Sequence, residues 1–319
     1  MRQYIKLFAV LFLLALPAKN NAETAVQTKP LLKVMFIDVG QGDSAFITTP
    51  EGITVLIDAG EGATSWSSFD AGKSIVVPLL KKLKVQSIDY ILMSHPHNDH
   101  IGGLPAVLEN FTVNTFIDPG FQYPSYVYEN LLEIVENKKV KYIEARAGAD
   151  IKLDKYCSLK VFNPPANEYF KGGSEPNENS LTVKLEFGKI SFLFTGDIEK
   201  QAEKNIIRLF KNDIASTVLK VAHHGSNTSS SEQFLDWAQP LIAVVSVGAG
   251  NRFGHPKKEV LKRLNDYGCK TYRTDADGTV LIITDGKNYD VKLIKIQTKM
   301  DDGQKDEYDE ETNYGEGYE

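Results

Sequence analysis

Six residues constrain this chain more than any others: His95-Pro96-His97-Asn98-Asp99-His100. They follow directly on Ile88-Asp89-Tyr90-Ile91-Leu92-Met93-Ser94, an apolar run of strand character. Three imidazoles and a carboxylate thus leave a strand end into a tight loop, where their side chains can converge. Imidazole and carboxylate are the donors that zinc accepts and that manganese and iron tolerate. The chain has six histidines in all, and the other three, His223, His224 and His255, stand in two short polar stretches after apolar runs. Metal ligation explains that distribution better than a scatter of solvated or capping histidines.

The two ends of the chain read differently from its body. Arg2 and Lys6 precede the apolar run from Leu7 to Leu16, which Pro17 closes. The run is too short to span a bilayer as a helix, which needs about 20 residues. It reads as a cleaved secretory signal over residues 1–22, with a signal anchor as the alternative, so a secreted or periplasmic location is expected. Residues 23–32 form a polar linker, and residues 33–298 are long enough for one large domain. Asp301 to Glu319 carries nine acids against the single Lys305 with no apolar periodicity, which predicts a disordered acidic tail over 299–319. That tail is more negative than the whole chain, whose net charge is −6. The body is nearly neutral, so bulk charge argues neither for nor against a polyanionic substrate. Cys157 and Cys269 lack metal-finger spacing and read as either one pair or two buried thiols.

Along the body, Leu31 to Val39, Ser44 to Thr49 and Ile53 to Asp58 read as three strands of a β-meander, turned by Gly40-Gln41-Gly42-Asp43 and Pro50-Glu51-Gly52. Helices and strands then alternate. Apolar spacing predicts helices over 74–84, 104–111 and 126–138, with strands over 113–118 and 140–144 between and after them. From Ile151 short strands return (151–153, 156–162, 181–187 and 190–195), interrupted by a Pro/Gly/Asn-rich loop from Asn163 to Asn179 that is long enough to be functional. Helices over 199–210, 232–238 and 257–266 alternate with strands over 217–222 and 241–247, and strands over 279–284 and 289–296 close the domain. Meander followed by alternation occurs in both halves. Two similar β-rich halves packed face to face, with helices outside, fit this pattern as a mixed α/β sandwich.

Each further site candidate ends an apolar strand, where such architectures place ligands. Asp197 follows Phe192-Leu193-Phe194-Thr195-Gly196, and a carboxylate can bridge two cations, which one imidazole nitrogen cannot. His223 and His224 follow Val218-Leu219-Lys220-Val221-Ala222. Strand alternation puts one of them toward the site, and the phase shared with Leu219 and Val221 favours His223. His224 is then expected nearby or against substrate. Ser229-Ser230-Ser231-Glu232 resembles a capping box. His255-Pro256 resembles the opening of a helix. Lys257 and Lys258 in a first turn oppose the helix dipole, and with Arg252 they would suit a phosphate.

Taken together, these stretches resemble a known family. Asp38-Val-Gly-Gln-Gly-Asp43-Ser44, Leu-Ile-Asp58-Ala-Gly, the histidine loop, Asn-Glu-Asn179-Ser180-Leu, Thr-Gly-Asp197, His223-His-Gly-Ser226 and Gly254-His-Pro256 are similar to the metallo-β-lactamase superfamily. Within it, they resemble the branch found as the C-terminal domain of the competence DNA-uptake channel protein (ComEC). The resemblance runs from about Lys33 to Ile296. It implies an αββα sandwich with the metal centre between two sheets. It implies one metal on His95 and His97, a second on Asp99, His100 and His223, and Asp197 bridging them. Asp58 is expected to support the histidine loop. Asp38, Asp43, Asn179, Ser180, Ser226, Asn251 and Lys257 are expected around the metals or against substrate. The chain departs from the superfamily in one place: no histidine lies between His100 and His223, so the third histidine of the first site is absent, Asn179 and Ser180 stand there instead, and a weak first site follows. No multi-helix channel accompanies the domain, so a stand-alone secreted form is expected.

The resulting reading is a secreted metallohydrolase of phosphoesters, acting as a phosphodiesterase or nuclease, with two divalent ions (zinc or manganese) lowering the pKa of a bound water. Asp99 would hold the nucleophile, and His224, Arg252 and His255 would contact the phosphate or protonate the leaving oxygen. DNA and a choline-phosphate polymer are the expected substrate classes. A lactam or lactone hydrolase and a non-catalytic, metal-stabilised binding module are the competing readings.

Overall fold

A computed structural model describes residues 29–295. The expected signal sequence over 1–22, the linker up to residue 28 and the acidic tail over 299–319 lie outside the described residues. The first half contains β1 (Leu32–Phe36), β2 (Ala45–Thr48), β3 (Thr54–Ile57), α1 (Val77–Lys82), β4 (Ser87–Leu92), α2 (Asn98–Ile101), α3 (Leu104–Asn110), β5 (Thr112–Asp118), α4 (Tyr126–Asn137) and β6 (Lys141–Glu144). The second contains β7 (Asp150–Lys152), β8 (Ser158–Asn163), α5 (Glu175–Glu178), β9 (Thr182–Phe187), β10 (Ile190–Phe194), α6 (Lys200–Phe210), β11 (Val218–Lys220), α7 (Glu232–Ala238), β12 (Ile242–Val245), α8 (Lys258–Asp266), β13 (Lys270–Arg273) and α9 (Thr274–Asp277). The chain then returns to the first half as β14 (Thr279–Thr284) and β15 (Tyr289–Ile294).

Two mixed sheets result, ordered β15-β14-β1-β2-β3-β4-β5-β6 and β13-β12-β11-β10-β9-β8-β7. Alternation along the strands explains why they stack. Leu32, Val34 and Phe36 of β1 join Phe192 and Phe194 of β10 in one core between the sheets. Met35, from the opposite face of β1, packs against Leu80, Leu104, Val107 and Leu131 of the first set of helices. Leu193, from the opposite face of β10, packs against Ile206, Leu235 and Leu264 of the second set. The order helix, sheet, sheet, helix is therefore four layers, the αββα sandwich.

The layer arrangement also fixes where a site can form. In the first sheet, β3 pairs antiparallel with β2 and parallel with β4. In the second, β10 pairs antiparallel with β9 and parallel with β11. Each sheet thus changes from antiparallel to parallel pairing at one strand, and the candidate site residues follow the carboxyl ends of that strand and its parallel neighbour. Asp58 follows β3, the histidine loop follows β4, Asp197 follows β10, and the His223-His224 pair follows β11.

Several local expectations differ from the structure. The helix expected from Ser74 begins as a π-helical turn over Gly72–Val76 before α1. The long loop after β8 contains the short helix α5. The strand expected over 217–222 stops at Lys220. Helix α8 has Lys257, not His255, at its N-cap, so Pro256 is not its first residue. Ser231 caps α7 by accepting from the Phe234 N–H at 3.2 Å, and the partner role expected of Glu232 falls instead to Glu203 of α6. Its buried carboxylate accepts from the backbone N–H groups of Ser230 and Ser231. The sequence reading contained no strand over β13, whose single buried residue, Tyr272, gives little periodicity. Cys157 and Cys269 are buried free thiols in two different cores.

Candidate metal centre

The first sheet supplies the histidine loop and its brace. Asp58 takes a left-handed backbone conformation (φ 56°) as it leaves β3. Its Oδ1 accepts from the Ser94 N–H at 2.8 Å, and its Oδ2 accepts from the Ser94 hydroxyl at 2.6 Å and faces His100 Nδ1 at 2.9 Å. The loop then turns into α2, where the His97 carbonyl accepts from the N–H groups of His100 and Ile101, both at 3.1 Å. The Gly40–Asp43 turn packs directly on this loop: the Asp43 N–H donates to the Asp99 carbonyl at 3.1 Å. A Cβ on Gly42 would lie 2.1 Å from that same oxygen, so only glycine fits.

The second sheet closes the site from the other side. The Asp197 N–H donates to Ser180 Oγ at 3.1 Å, which fixes the turn after β10. After β11 the backbone at His223 and His224 is left-handed (φ 50° and 52°), which ends strand alternation before it reaches them. The phase argument for His223 therefore fails. His224 is the buried member of the pair, with Nδ1 2.9 Å from the Ser246 carbonyl. The His223 side chain is 24% exposed, and its Nδ1 lies 3.3 Å from Glu199.

Four imidazole nitrogens gather around one carboxylate oxygen. Asp197 Oδ2 lies 3.3 Å from His100 Nε2, 3.4 Å from His224 Nε2, 3.9 Å from His223 Nε2 and 4.0 Å from His95 Nε2. His95 Nε2 and His97 Nδ1 are 3.0 Å apart, and Asp99 Oδ2 is 3.2 Å from His224 Nε2. Two triads, His95-His100-Asp197 and Asp43-His100-His224, each hold their donor atoms within 4.8 Å of one another. His100 Nε2, His224 Nε2, Asp197 Oδ1 and Asp43 Oδ1 are buried without a hydrogen bond. Orphaned polar atoms are costly in a protein interior. Nitrogen and carboxylate donors so grouped fit a borderline divalent ion, so the residues present suit the metal that the fold implies.

Electrostatics separates the imidazoles into two kinds. Burial, then the nearby His100 charge, holds His95 well below the ordinary histidine range, and burial likewise lowers His97. Both are neutral and offer a lone pair. For His100 burial works in the same sense, but Asp197 and Asp43 overcome it and raise the ring well above the ordinary value. His224 is raised to about 10 against its burial by Asp197, Asp43 and Asp99. Asp197 and Asp99 are held low, against burial, by His224 and His100. A cation entering such a centre replaces protons on these rings.

The other expected residues have distinct places. Asn179, expected from the resemblance to stand where the histidine is missing, spends its side chain on backbone: Nδ2 donates to the Phe170 and Glu175 carbonyls, and Oδ1 accepts from the Phe170 N–H. Asn251 ties its own loop together, donating to the Gly248 and His255 carbonyls. Ser226 Oγ is 3.0 Å from Thr228 Oγ1. Asp38 caps the Gly40 N–H in a turn, away from the convergence on Asp197. His255 sits with its ring 5.8 Å from that of His223, and burial, then His223 and His224, pushes it down to about 4. It is neutral at physiological pH, with a buried, unpartnered Nδ1. Arg252 is exposed beside the Phe253 ring, and Lys257 Nζ donates to the Phe253 carbonyl at 2.7 Å. Arg252 and Lys257 thus lie at the rim of the centre, on the loop that carries His255.

Three contributors were missed by the sequence reading. Ser94 braces Asp58, Glu199 faces His223, and Lys220 lies buried beside Asp43 and Asp197. A signal existed for Lys220: it shares phase with Val218 in an otherwise apolar strand, where a lysine is out of place unless paired.

Residues 37–126 match the family model described as "Metallo-beta-lactamase superfamily". The chain carries a metallo-β-lactamase domain, as its four layers and the histidine-aspartate cluster between the sheets indicate. Among known proteins it is 33% identical over 258 residues to ComE operon protein 3 of Bacillus subtilis (strain 168), covering 78% of this chain and 32% of that protein. It is 30% identical over 243 residues to Competence protein ComA of Neisseria gonorrhoeae, covering 76% and 31%. It is 23% identical over 217 residues to Probable RNase MJ4 of Methanocaldococcus jannaschii, covering 61% and 49%. The chain spans about a third of the length of the first two relatives.

Proposed function

We propose that this chain is a secreted or periplasmic hydrolase that uses two divalent ions to cleave phosphodiesters, with nucleic acid as its substrate class. One observation carries the reading: the imidazole nitrogens of His95, His100, His223 and His224 all lie within 4.0 Å of Asp197 Oδ2. The relative named as a probable RNase supports nucleic acid as the substrate. The apolar run from Leu7 to Leu16 supports export.

His95 and His97 would hold one ion, Asp99, His100 and His224 the other, and Asp197 would lie between them. Bound there, divalent ions supply a lowered pKa for attacking water and charge stabilisation at the phosphoryl oxygens. The protein's own groups do the rest. Asp58, through Ser94 and His100, fixes the orientation of the loop. Asp99 and Asp197 offer carboxylate oxygens to accept a proton from the attacking water. His255, neutral with its Nδ1 unpartnered, can accept a hydrogen bond or carry a proton at the mouth of the site. Arg252 offers a guanidinium to a phosphate arriving from solvent.

The test is an assay of the purified chain with manganese or zinc on linear DNA, on a chromogenic phosphodiester and on a chromogenic lactam. Cleavage of both phosphodiesters is expected, with loss on chelation and in His97→Ala and Asp197→Ala. Lactam opening without phosphodiester cleavage would refute the reading. Bound metal with no turnover on any substrate would favour a binding module instead.

A further inference from the structure

Lys220 is the last residue of β11, paired across the sheet with Phe194. Val218, two positions earlier, packs in the core between the sheets, whereas Leu219 packs in the outer one. Alternation therefore directs Lys220 inward, and it is 4% exposed. Its ammonium is ion-paired with Asp43 Oδ2, donates to the Gly196 carbonyl at 3.1 Å and lies 3.7 Å from Asp197 Oδ1. Through their other oxygens the same two carboxylates face two of the buried histidines, His224 and His100. Asp43 Oδ1 is 3.3 Å from His224 Nδ1, and Asp197 Oδ2 is 3.3 Å from His100 Nε2. One lysine thus touches both acids that orient the centre.

We propose that Lys220 is a built-in counter-cation of the centre, a positioning residue that acts through Asp43 and Asp197. The inference rests on the divalent-cation reading given above. Asp43, Asp58, Asp99 and Asp197 bring four negative charges into a buried site, and like charges so close destabilise one another. The ammonium offsets one of them, so the cradle is assembled before a divalent ion arrives. The same fixed charge opposes the incoming ion, because a unit charge a few ångströms away is weakly screened inside a protein. Lys220 therefore trades cation affinity for a pre-ordered apo site.

Calorimetric titration of Mn²⁺ into the chelator-stripped full chain tests this, alongside thermal melts with and without the ion. Lys220→Met is expected to bind Mn²⁺ at least about tenfold more tightly than wild type, to melt lower when stripped, and to gain more from the ion. Lys220→Arg keeps the charge and is expected to stay within about threefold of wild type. Asp43→Asn is expected to bind at least about tenfold more weakly, and Asp43→Asn with Lys220→Met to return to within about threefold of wild type, since the pair is removed together. Unchanged or weaker binding by Lys220→Met, or tenfold tighter binding by Lys220→Arg, overturns the inference. If stripped Lys220→Met does not fold, the double variant decides: recovery supports the inference, and binding as weak as Asp43→Asn overturns it. A wild type that binds no Mn²⁺ defeats the divalent-cation reading itself, and this inference with it.

Discussion

Asp58 Oδ2 stands 2.9 Å from His100 Nδ1, so that the other nitrogen of the same ring faces Asp197 at 3.3 Å. A carboxylate behind a ligating imidazole fixes both its tautomer and its orientation, and loss of such a partner typically costs about 10- to 100-fold in metal affinity. Asp58→Ala is therefore expected to weaken zinc binding by that factor, measured by competition with a chromogenic chelator. The Ser94 hydroxyl loses its acceptor in the same variant, so a lower melting temperature is expected as well.

His223 and His224 are neighbours with unequal exposure, 24% against 2% for their side chains. His224 meets Asp99 and Asp197 together, whereas His223 meets Glu199 and reaches Asp197 at 3.9 Å. His224→Ala is expected to lower cation affinity at least about tenfold more than His223→Ala does. The check is calorimetric titration of the two variants side by side. The reverse order would assign the ligand role to His223.

Much of this fold was legible in the sequence because apolar spacing survives wherever both faces of a strand are buried. β1, β4, β10 and β12 stand where it points, and the four layers follow. What escaped has a local cause. β13 carries one buried residue and so no period. The assignment of His223 relied on alternation, which the left-handed backbone at 223 and 224 cancels, and nothing in Val-Ala-His-His-Gly announces that turn. The loop from His95 to His100 was conspicuous by composition. Its brace was visible only as far as Asp58, because Ser94 looks like any strand-end serine. Lys220 escapes because lysine is almost never fully buried unless paired, and its two carboxylate partners come from distant parts of the chain.

Glu203 is buried on α6, and its carboxylate accepts from the N–H groups of Ser230 and Ser231 ahead of α7. Glu203→Ala leaves both donors without a partner. A loss of about 1–3 kcal/mol is expected from such desolvated groups, read as a lower urea midpoint with an unchanged slope.

Asp118 is fully buried at the end of β5, and burial, opposed by the Gly120 N–H and the Tyr128 hydroxyl, raises it from 3.8 to about 6. The folded protein thus holds this proton more tightly than the unfolded chain does. The corresponding stability is present in full below about pH 4 and is lost as pH climbs through about 6. The shift corresponds to roughly 3 kcal/mol. Asp118→Asn is expected to remove this decline, measured as urea stability at pH 4.5 and 7.

The central claim is that Asp197 joins two cation sites built from the two sheets. Its most direct test is the number of zinc ions bound per chain, measured by elemental analysis after equilibrium dialysis. Two ions per wild-type chain are expected, one for His97→Ala and none for Asp197→Ala. A wild type that binds no zinc, or an Asp197→Ala protein that binds as much as wild type, would contradict it.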